Sequence, residues 1–320
     1  MISKADLLKQ ARNFHYKPDI LEKVFKLLEV LEAFVSIPFL RDRLVLKGGT
    51  ALNLFYFEHL PRLSVDIDLN YIGCLDRVVM LEERVTINET IYQILSQKGF
   101  TPDRNPTAYA GGKMVWRYDS LLGQKGNLEI DLNYMYRQPL LDNEWKHPNI
   151  GSDQIPKIPI LDIHELAAGK LTALFARQAS RDLFDAHYLL TKNFLSLDKL
   201  RPIWVAYLSM SDVPIDMLSP EYINYDLKSV NNELLPVLKQ NHGLGKRMEL
   251  EKWLQQTLLE LREKLSHLLP LSASDLDFIE KIRAEGVIDS KLITTDRLFG
   301  ERLQTHPAIL WAASKKPNLI

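Results

Sequence analysis

The sequence predicts an α+β protein: a first domain over 1–155 with a small mixed sheet flanked by helices, then a helical second domain over 156–320. Three observations carry this expectation. Apolar and polar residues alternate over 64–70 and again over 127–136, as they do in half-buried strands. Residues 20–36 and 77–98 show instead the longer period of helices. Past a stretch punctuated by Pro148, Pro156 and Pro159, which reads as the boundary, the chain turns helical.

The first of these helices, ILEKVFKLLEVLEAFVS, is introduced by Asp19 with Glu22 three residues on, a capping-box spacing, and should pack on the sheet. Leu44, Val45 and Leu46 form a short apolar run that ends at Gly48-Gly49, after which Ala51, Leu52, Leu54 and Phe55 begin a helical pattern. The glycines then lie at a helix N-terminus, where unpaired backbone N–H groups attract anions and the missing Cβ atoms let a phosphate come close. Thr50 can add a hydroxyl donor or cap the helix. In the strand that follows, Val65, Ile67 and Leu69 point to one face and Ser64, Asp66, Asp68 and Asn70 to the other. Two neighbouring carboxylates repel, and a hard divalent cation between them makes the arrangement favourable. The segment from Lys47 to Asn70 therefore reads as a metal-dependent phosphate site.

Strand, Gly-Gly-Thr helix start and Asp-x-Asp on a strand, in that order, resembles the nucleotidyltransferase superfamily typified by DNA polymerase beta. No G-x-x-x-x-G-K-[ST] or G-x-G-x-x-G phosphate loop competes with it. The resemblance implies a third carboxylate on a neighbouring strand. Residues 127–136, NLEIDLNYMY, alternate Leu128, Ile130, Leu132 and Tyr134 with Glu129, Asp131 and Asn133, and they form a hairpin with 113–119 across the turn from Leu121 to Gly126. Asp131 is the choice for the third carboxylate, with Glu129 as the alternative.

Residues 161–190 open a helix with Asp162 and Glu165 in capping-box positions. On an unbroken helix with Lys170 at zero, Arg177 lies at about −20°, Arg181 at about 20° and Asp185 at about 60°. The three cations then form one stripe suited to a triphosphate, unless Ser180 or Asp182 caps a second helix and breaks the register. The order GGTAL, R-x-S-x-D-I-D-L from Arg62 to Leu69, H-E-L-x-x-x-K-L-x-A-L-x-x-R from His164 to Arg177, and R-D-x-x-D from Arg181 to Asp185 is similar to the AbiEii/AbiGii toxin family of nucleotidyltransferases. The similarity spans most of 40–190 and continues weakly to HPAILW at 306–311.

That resemblance implies a toxin of a bacterial toxin–antitoxin or phage-defence pair. Such a toxin binds a nucleoside triphosphate (NTP) and Mg²⁺, two ions in the active complex, and moves a nucleoside monophosphate to an acceptor hydroxyl. In characterised relatives the acceptor is the end of tRNA, which blocks translation, and the partner is a cognate antitoxin encoded nearby. Carried over by position, Gly48, Gly49 and Ser64 match the triphosphate-contacting motif, and Asp66 and Asp68 match the metal ligands. Lys170 matches the nucleotide-binding lysine, and Asp185 matches an essential acid of the last motif. In the chemistry so implied, Arg177 or Arg181 would join Lys170 in offsetting phosphate charge, and Asp185 would position Lys170 or meet the base or ribose. In part of the family the Ser64 position carries a hydroxyl that accepts phosphate when the toxin is silenced. Two other classes are compatible: a nucleotide-binding module that acts without transfer, and a nucleotidyltransferase whose acceptor is a small molecule.

Composition sets the outer limits. A length of 320 residues allows two domains at roughly 150 residues each. With 46% hydrophobic and 25% charged residues the chain has the balance of a globular protein, which excludes a disordered one. The single cysteine, Cys74, excludes an intrachain disulfide framework and a cysteine-cluster zinc site. The N-terminus lacks the apolar core of a signal peptide, and no apolar run reaches about 18 residues, so the expected location is the cytoplasm with no membrane contact. A net charge of −1 means that an RNA acceptor would need a local basic patch. Leu250, Leu254, Leu258, Leu261, Leu265 and Leu268 recur at helical spacing and read as a buried helix face.

Overall fold

A computed structural model describes residues 2–104, 111–152, 154–192, 194–240 and 247–315. The chain forms two units, one of Met1–Arg137, Asn143–Leu161 and Pro236–His242, the other of Gln138–Asp142, Asp162–Leu235 and Gly243–Ile320. The division differs from a single break at 155/156 because short pieces of chain on either side of it pack with the other part.

In the first unit, α1 (Lys4–Phe14) and α2 (Pro18–Ser36) precede a short α3 (Pro38–Arg41). The expected capping box at Asp19 and Glu22 is absent. Pro18 occupies the first turn of α2, Lys17 is its N-cap and no side chain caps it, since the proline ring already presets the helical φ. Glu22 is buried and accepts hydrogen bonds from Ser120 Oγ at 2.5 Å and Leu121 N at 2.7 Å, so it holds the turn of a hairpin.

The sheet contains β1 (Leu44–Lys47), β2 (Asp66–Tyr71), β3 (Thr101–Arg104), β4 (Gly111–Asp119), β5 (Lys125–Asn133), β6 (Glu144–Lys146) and β7 (Ile158–Ile160), in the order β3-β4-β5-β2-β1-β7-β6. β2 runs antiparallel to β1 and parallel to β5, so the sheet is mixed. Ile67, Leu69, Leu128, Ile130 and Leu132 are buried, and α2 packs against β5. β5 stops at Asn133 instead of running to 136, because the Asn133 side chain accepts from Met135 N at 2.8 Å and Tyr136 N at 3.0 Å and turns the backbone out of the ladder. The proline-rich stretch read as a boundary holds β7, a buried strand paired with β1 at Leu46 and Ile160. Its proline stands opposite Trp145 of the short β6.

β1 leads into α4 (Gly48–Ala51), continued by a π-helical turn over Leu52–Tyr56. The helix expected over 77–98 is α5 (Arg77–Gln97), capped by the Asp76 carboxylate on Val78 N and Val79 N. The returning segment at 236–240 braces the loop ahead of β2. Val237 O accepts from Leu63 N at 2.9 Å, Leu238 bridges Arg62, and Lys239 Nζ donates to His59 O at 2.7 Å.

The regular elements among the second unit's described residues are helices: α6 (Ile163–Arg177), α7 (Ser180–Thr191), α8 (Leu197–Ser209), α9 (Leu227–Ser229), α10 (Arg247–Leu265), α11 (Ala273–Glu280), α12 (Arg297–Thr305) and α13 (Pro307–Ser314), with short single turns between some of them. α6 packs on α7 and α8, and α10 packs on α7. The leucine stripe is buried at Leu250, Leu254, Leu261 and Leu265 of α10 and at Leu268 beyond its end, while Leu258 is partly exposed.

At the start of α6, Asp162 is the N-cap and accepts from His164 N, but Glu165 does not reach back to complete a capping box. Its carboxylate is buried and accepts from Leu140 N at 3.0 Å, Leu141 N at 3.2 Å and Tyr207 Oη at 3.1 Å. Burial pushes the Glu165 carboxyl up to about 7, and these donors only partly offset it. An unfolded glutamate ionises near 4.5. Between the two values the native state holds the extra proton, so stability falls as pH rises through that window, by up to about 3 kcal/mol. Glu165→Gln keeps an acceptor for both backbone N–H groups. The expected result is a melting temperature by calorimetry that no longer declines between about pH 4.5 and 7; an unchanged decline would show that another group carries it.

Candidate active site

The site of the first unit is built on β2. Residue alternation puts Asp66, Asp68 and Asn70 on one face of this strand. β5 lies beside it in parallel, with Glu129 opposite Asp66 and Asp131 opposite Asp68. Opposite residues on neighbouring strands share a face at a separation of about 4.8 Å, so four carboxylates occupy one patch of sheet. On the other side of β2, Lys47 is opposite Asp68. Asp68 and Asp131 take no hydrogen bond or ion pair from another described side chain. Asp66 is 3.9 Å from Lys23 Nζ, and Glu129 is 2.5 Å from Lys113 Nζ.

Gly48 completes the patch from above. Its φ is +73°, and a Cβ built on it would fall 2.3 Å from Asp68 Oδ2. Glycine is therefore required twice, for the left-handed backbone and for the closeness of the turn to the carboxylate. Gly48→Ala is expected to displace Asp68 and lower transfer activity by at least about a hundredfold, with a melting loss of about 1–3 kcal/mol; a fully active Gly48→Ala protein would show that the turn does not set Asp68. Gly49 is buried and its carbonyl accepts from Asn53 Nδ2 at 3.0 Å.

Thr50 is not placed as a phosphate donor or a cap. It is fully buried, and its hydroxyl donates to Asp66 O at 2.5 Å, tying the turn to the first residue of β2. Ser64, two residues before Asp66, is also buried, with 7% of its surface exposed.

Four carboxylates on one sheet face suit Mg²⁺ or Mn²⁺ better than a softer ion. Among the described residues no three Asp, Glu, His or Cys side chains close tightly enough to hold an ion as they stand. The register therefore supplies donors on a common face rather than a finished cage.

In the second unit the helix breaks between Arg177 and Ser180. Gln178 adopts a left-handed conformation with φ 49°, and Ala179 is the N-cap of α7 with no side-chain bond. The single stripe of Lys170, Arg177, Arg181 and Asp185 is therefore not formed, and neither Ser180 nor Asp182 makes the break by capping. The break folds α7 back so that Lys170 Nζ meets Asp182 Oδ1 and Asp185 Oδ2, each at 2.9 Å. Arg177 Nε binds the other oxygen of Asp182 at 2.7 Å, and Arg181 Nε is 3.8 Å from Glu233. Both aspartates are buried. Burial alone would raise the Asp182 pKa, yet Lys170 and then Arg177 hold it below the ordinary carboxylate value.

A family model described as nucleotidyl transferase AbiEii toxin, type IV toxin–antitoxin system, matches residues 29–268. The chain belongs to the AbiEii family. It is a nucleotidyltransferase toxin of the type IV class, a grouping that pairs a toxin with an antitoxin. No curated protein matches the sequence. Among solved structures, MenT4, the nucleotidyltransferase toxin Rv2826c from Mycobacterium tuberculosis H37Rv, is similar with a TM-score of 0.62 at 17% identity, covering 97% of this chain and 99% of that one. At that identity the likeness establishes a shared fold.

Within this AbiEii chain, Asp182 pairs with Lys170 and Arg177 instead of capping a helix. The signal was present, since Asp182 and Asp185 stand three apart in the R-D-x-x-D motif and so share a helix face. The histidines near the motifs are fasteners. His164 Nδ1 is 2.9 Å from Asp162 while its Nε2 accepts from Ser196 N, and His187 pairs with Glu260 at 2.7 Å. Trp116 and Tyr134 are buried. Among the described residues no helix is long and apolar enough to cross a membrane.

Proposed function

We propose that this AbiEii-family toxin transfers a nucleoside monophosphate from an NTP to the terminal hydroxyl of tRNA in a Mg²⁺-dependent reaction. The observation that carries the reading is the pairing of Asp68 with Asp131 in register on one sheet face, with Asp66 beside them and Gly48 directly above Asp68. Asp66, Asp68 and Asp131 would hold two Mg²⁺ ions. When bound, the metal supplies charge stabilisation for the attacking and leaving oxygens.

The chain's own residues do the rest. The acceptor oxygen forms a bond to the α-phosphorus, the bond from that phosphorus to the β-bridging oxygen breaks, and pyrophosphate leaves. The Asp131 carboxylate takes the acceptor's proton. Gly48 and Gly49 let the phosphates approach the turn, and Thr50 keeps Asp66 in place through its backbone. Ser64 remains the family's phosphate-contacting position. Lys170 enters as the nucleotide contact that the family resemblance assigns, with Asp182 and Asp185 fixing its ammonium, and Arg177 or Arg181 would add charge against the phosphates. The biological setting is growth arrest in the cytoplasm, countered by an antitoxin encoded nearby, with phage defence as the use.

Incubating the purified chain with each α-labelled NTP, Mg²⁺ and total tRNA tests the reading. Label on tRNA supports it. Binding of NTP without transfer would replace it with a module acting by occupancy. Release of pyrophosphate to a small acceptor without RNA would move the acceptor class.

A further inference from the structure

The carboxylate face carries its own cation. Lys113 lies on β4 opposite Asp131, and its Nζ is 2.5 Å from Glu129 Oε2. The negative charges of Asp66 and Asp68 also reach this ammonium. One lysine therefore stands in the field of several acids of which two, Asp68 and Asp131, have no ion-pair partner among the described residues. Its side chain is half exposed, so it is free to swing on its four-carbon stem. A divalent ion entering this face competes with that ammonium. A metal–triphosphate does not, because it brings phosphate oxygens that can receive the displaced lysine.

We propose that Lys113 is a resident counter-ion of the carboxylate face, which discourages free divalent metal and moves from Glu129 to the phosphates when a metal–nucleotide complex binds. The inference rests on the metal-dependent reading above. It makes Lys113 a positioning residue in the resting protein and a phosphate contact in the complex, and makes entry of metal and nucleotide cooperative.

The test is direct Mn²⁺ binding to the full chain without nucleotide, read from the free-ion EPR signal, for the unaltered protein, Lys113→Met, Lys113→Arg and Asp68→Asn. A unit charge a few ångströms away at a half-exposed site is worth about a tenfold change in affinity. Lys113→Met is expected to bind free Mn²⁺ about tenfold more tightly, and to bind Mn²⁺ with α,β-methylene nucleoside triphosphates about tenfold more weakly. Lys113→Arg should behave as the unaltered protein in the first measurement. Free Mn²⁺ binding by Lys113→Met that is unchanged, weaker or undetectable overturns the proposal. Asp68→Asn separates the two ideas: if it binds Mn²⁺ as well as the unaltered protein, the metal face itself is wrong, whatever Lys113 does.

Discussion

Asp131→Asn is expected to abolish nucleotidyl transfer as completely as Asp68→Asn, each by at least about a thousandfold in kcat/KM, while Glu129→Gln stays within about tenfold. The register carries this contrast. Asp131 is directly opposite Asp68 and has no ion pair among the described residues, whereas Glu129, one pleat further along the same face, is engaged by Lys113. A thousandfold corresponds to about 4 kcal/mol of transition-state stabilisation, which is within what a lost metal ligand removes. Single-turnover transfer of label, with growth arrest on expression as the cellular readout, distinguishes the positions. The substitutions are close to isosteric, so melting temperatures should stay within about 2 °C of each other. Activity retained in Asp131→Asn but lost in Glu129→Gln would hand the third carboxylate role to Glu129. Activity retained in both, and in Asp68→Asn, would remove enzyme chemistry from this face.

Lys170→Met is expected to destabilise the second unit by about 3–5 kcal/mol, a fall of about 10 °C in its melting temperature for a unit of this size. The reason is the partner set. Lys170 is 2.9 Å from two buried aspartates, and its removal leaves an excess of negative charge where water cannot reach it. Lys170 therefore has a structural task in addition to any contact with nucleotide. The triple variant Lys170→Met, Asp182→Asn, Asp185→Asn should recover much of the loss, because the three buried charges go together and the Arg177 guanidinium that loses Asp182 is exposed. Calorimetry of the three proteins checks this; a Lys170→Met protein as stable as the parent would mean that the cluster is not a coupled charge set. The acid side follows with a definite sign. Asp182 is held below its ordinary value of 3.8, so its contribution is complete above that pH and is lost as the pH falls below it.

Much of the first unit was legible because strand alternation is a local property. Val65, Ile67 and Leu69 had to face away from Asp66 and Asp68 whatever lay beyond them, and the structure buries Ile67 and Leu69 accordingly. The same holds for Leu128, Ile130 and Leu132 on β5. β7 was not legible, because three residues with a proline at their centre show no periodicity, and only pairing with β1 and β6 makes them a strand. The capping boxes at Asp19 and Asp162 failed for a related reason. Glu22 and Glu165 had stronger offers from distant backbone N–H groups than from their own helix starts.

The cation stripe on 170–185 failed at one residue. Helical phase accumulates along a segment, so the left-handed turn at Gln178 re-aims everything after it. What replaced the stripe, Lys170 clamped by Asp182 and Asp185, uses residue types the motif displayed but a geometry that needs two helices folded together.

The chain's linear order decided which residues share a face and where a glycine must stand, since both depend on a few consecutive backbone angles. Which strand lies beside β2, and that it lies there with Asp131 opposite Asp68, was decided only in three dimensions. That pairing joins residues some sixty positions apart, and its register is set by the total burial of the sheet, a quantity that no short window of sequence contains.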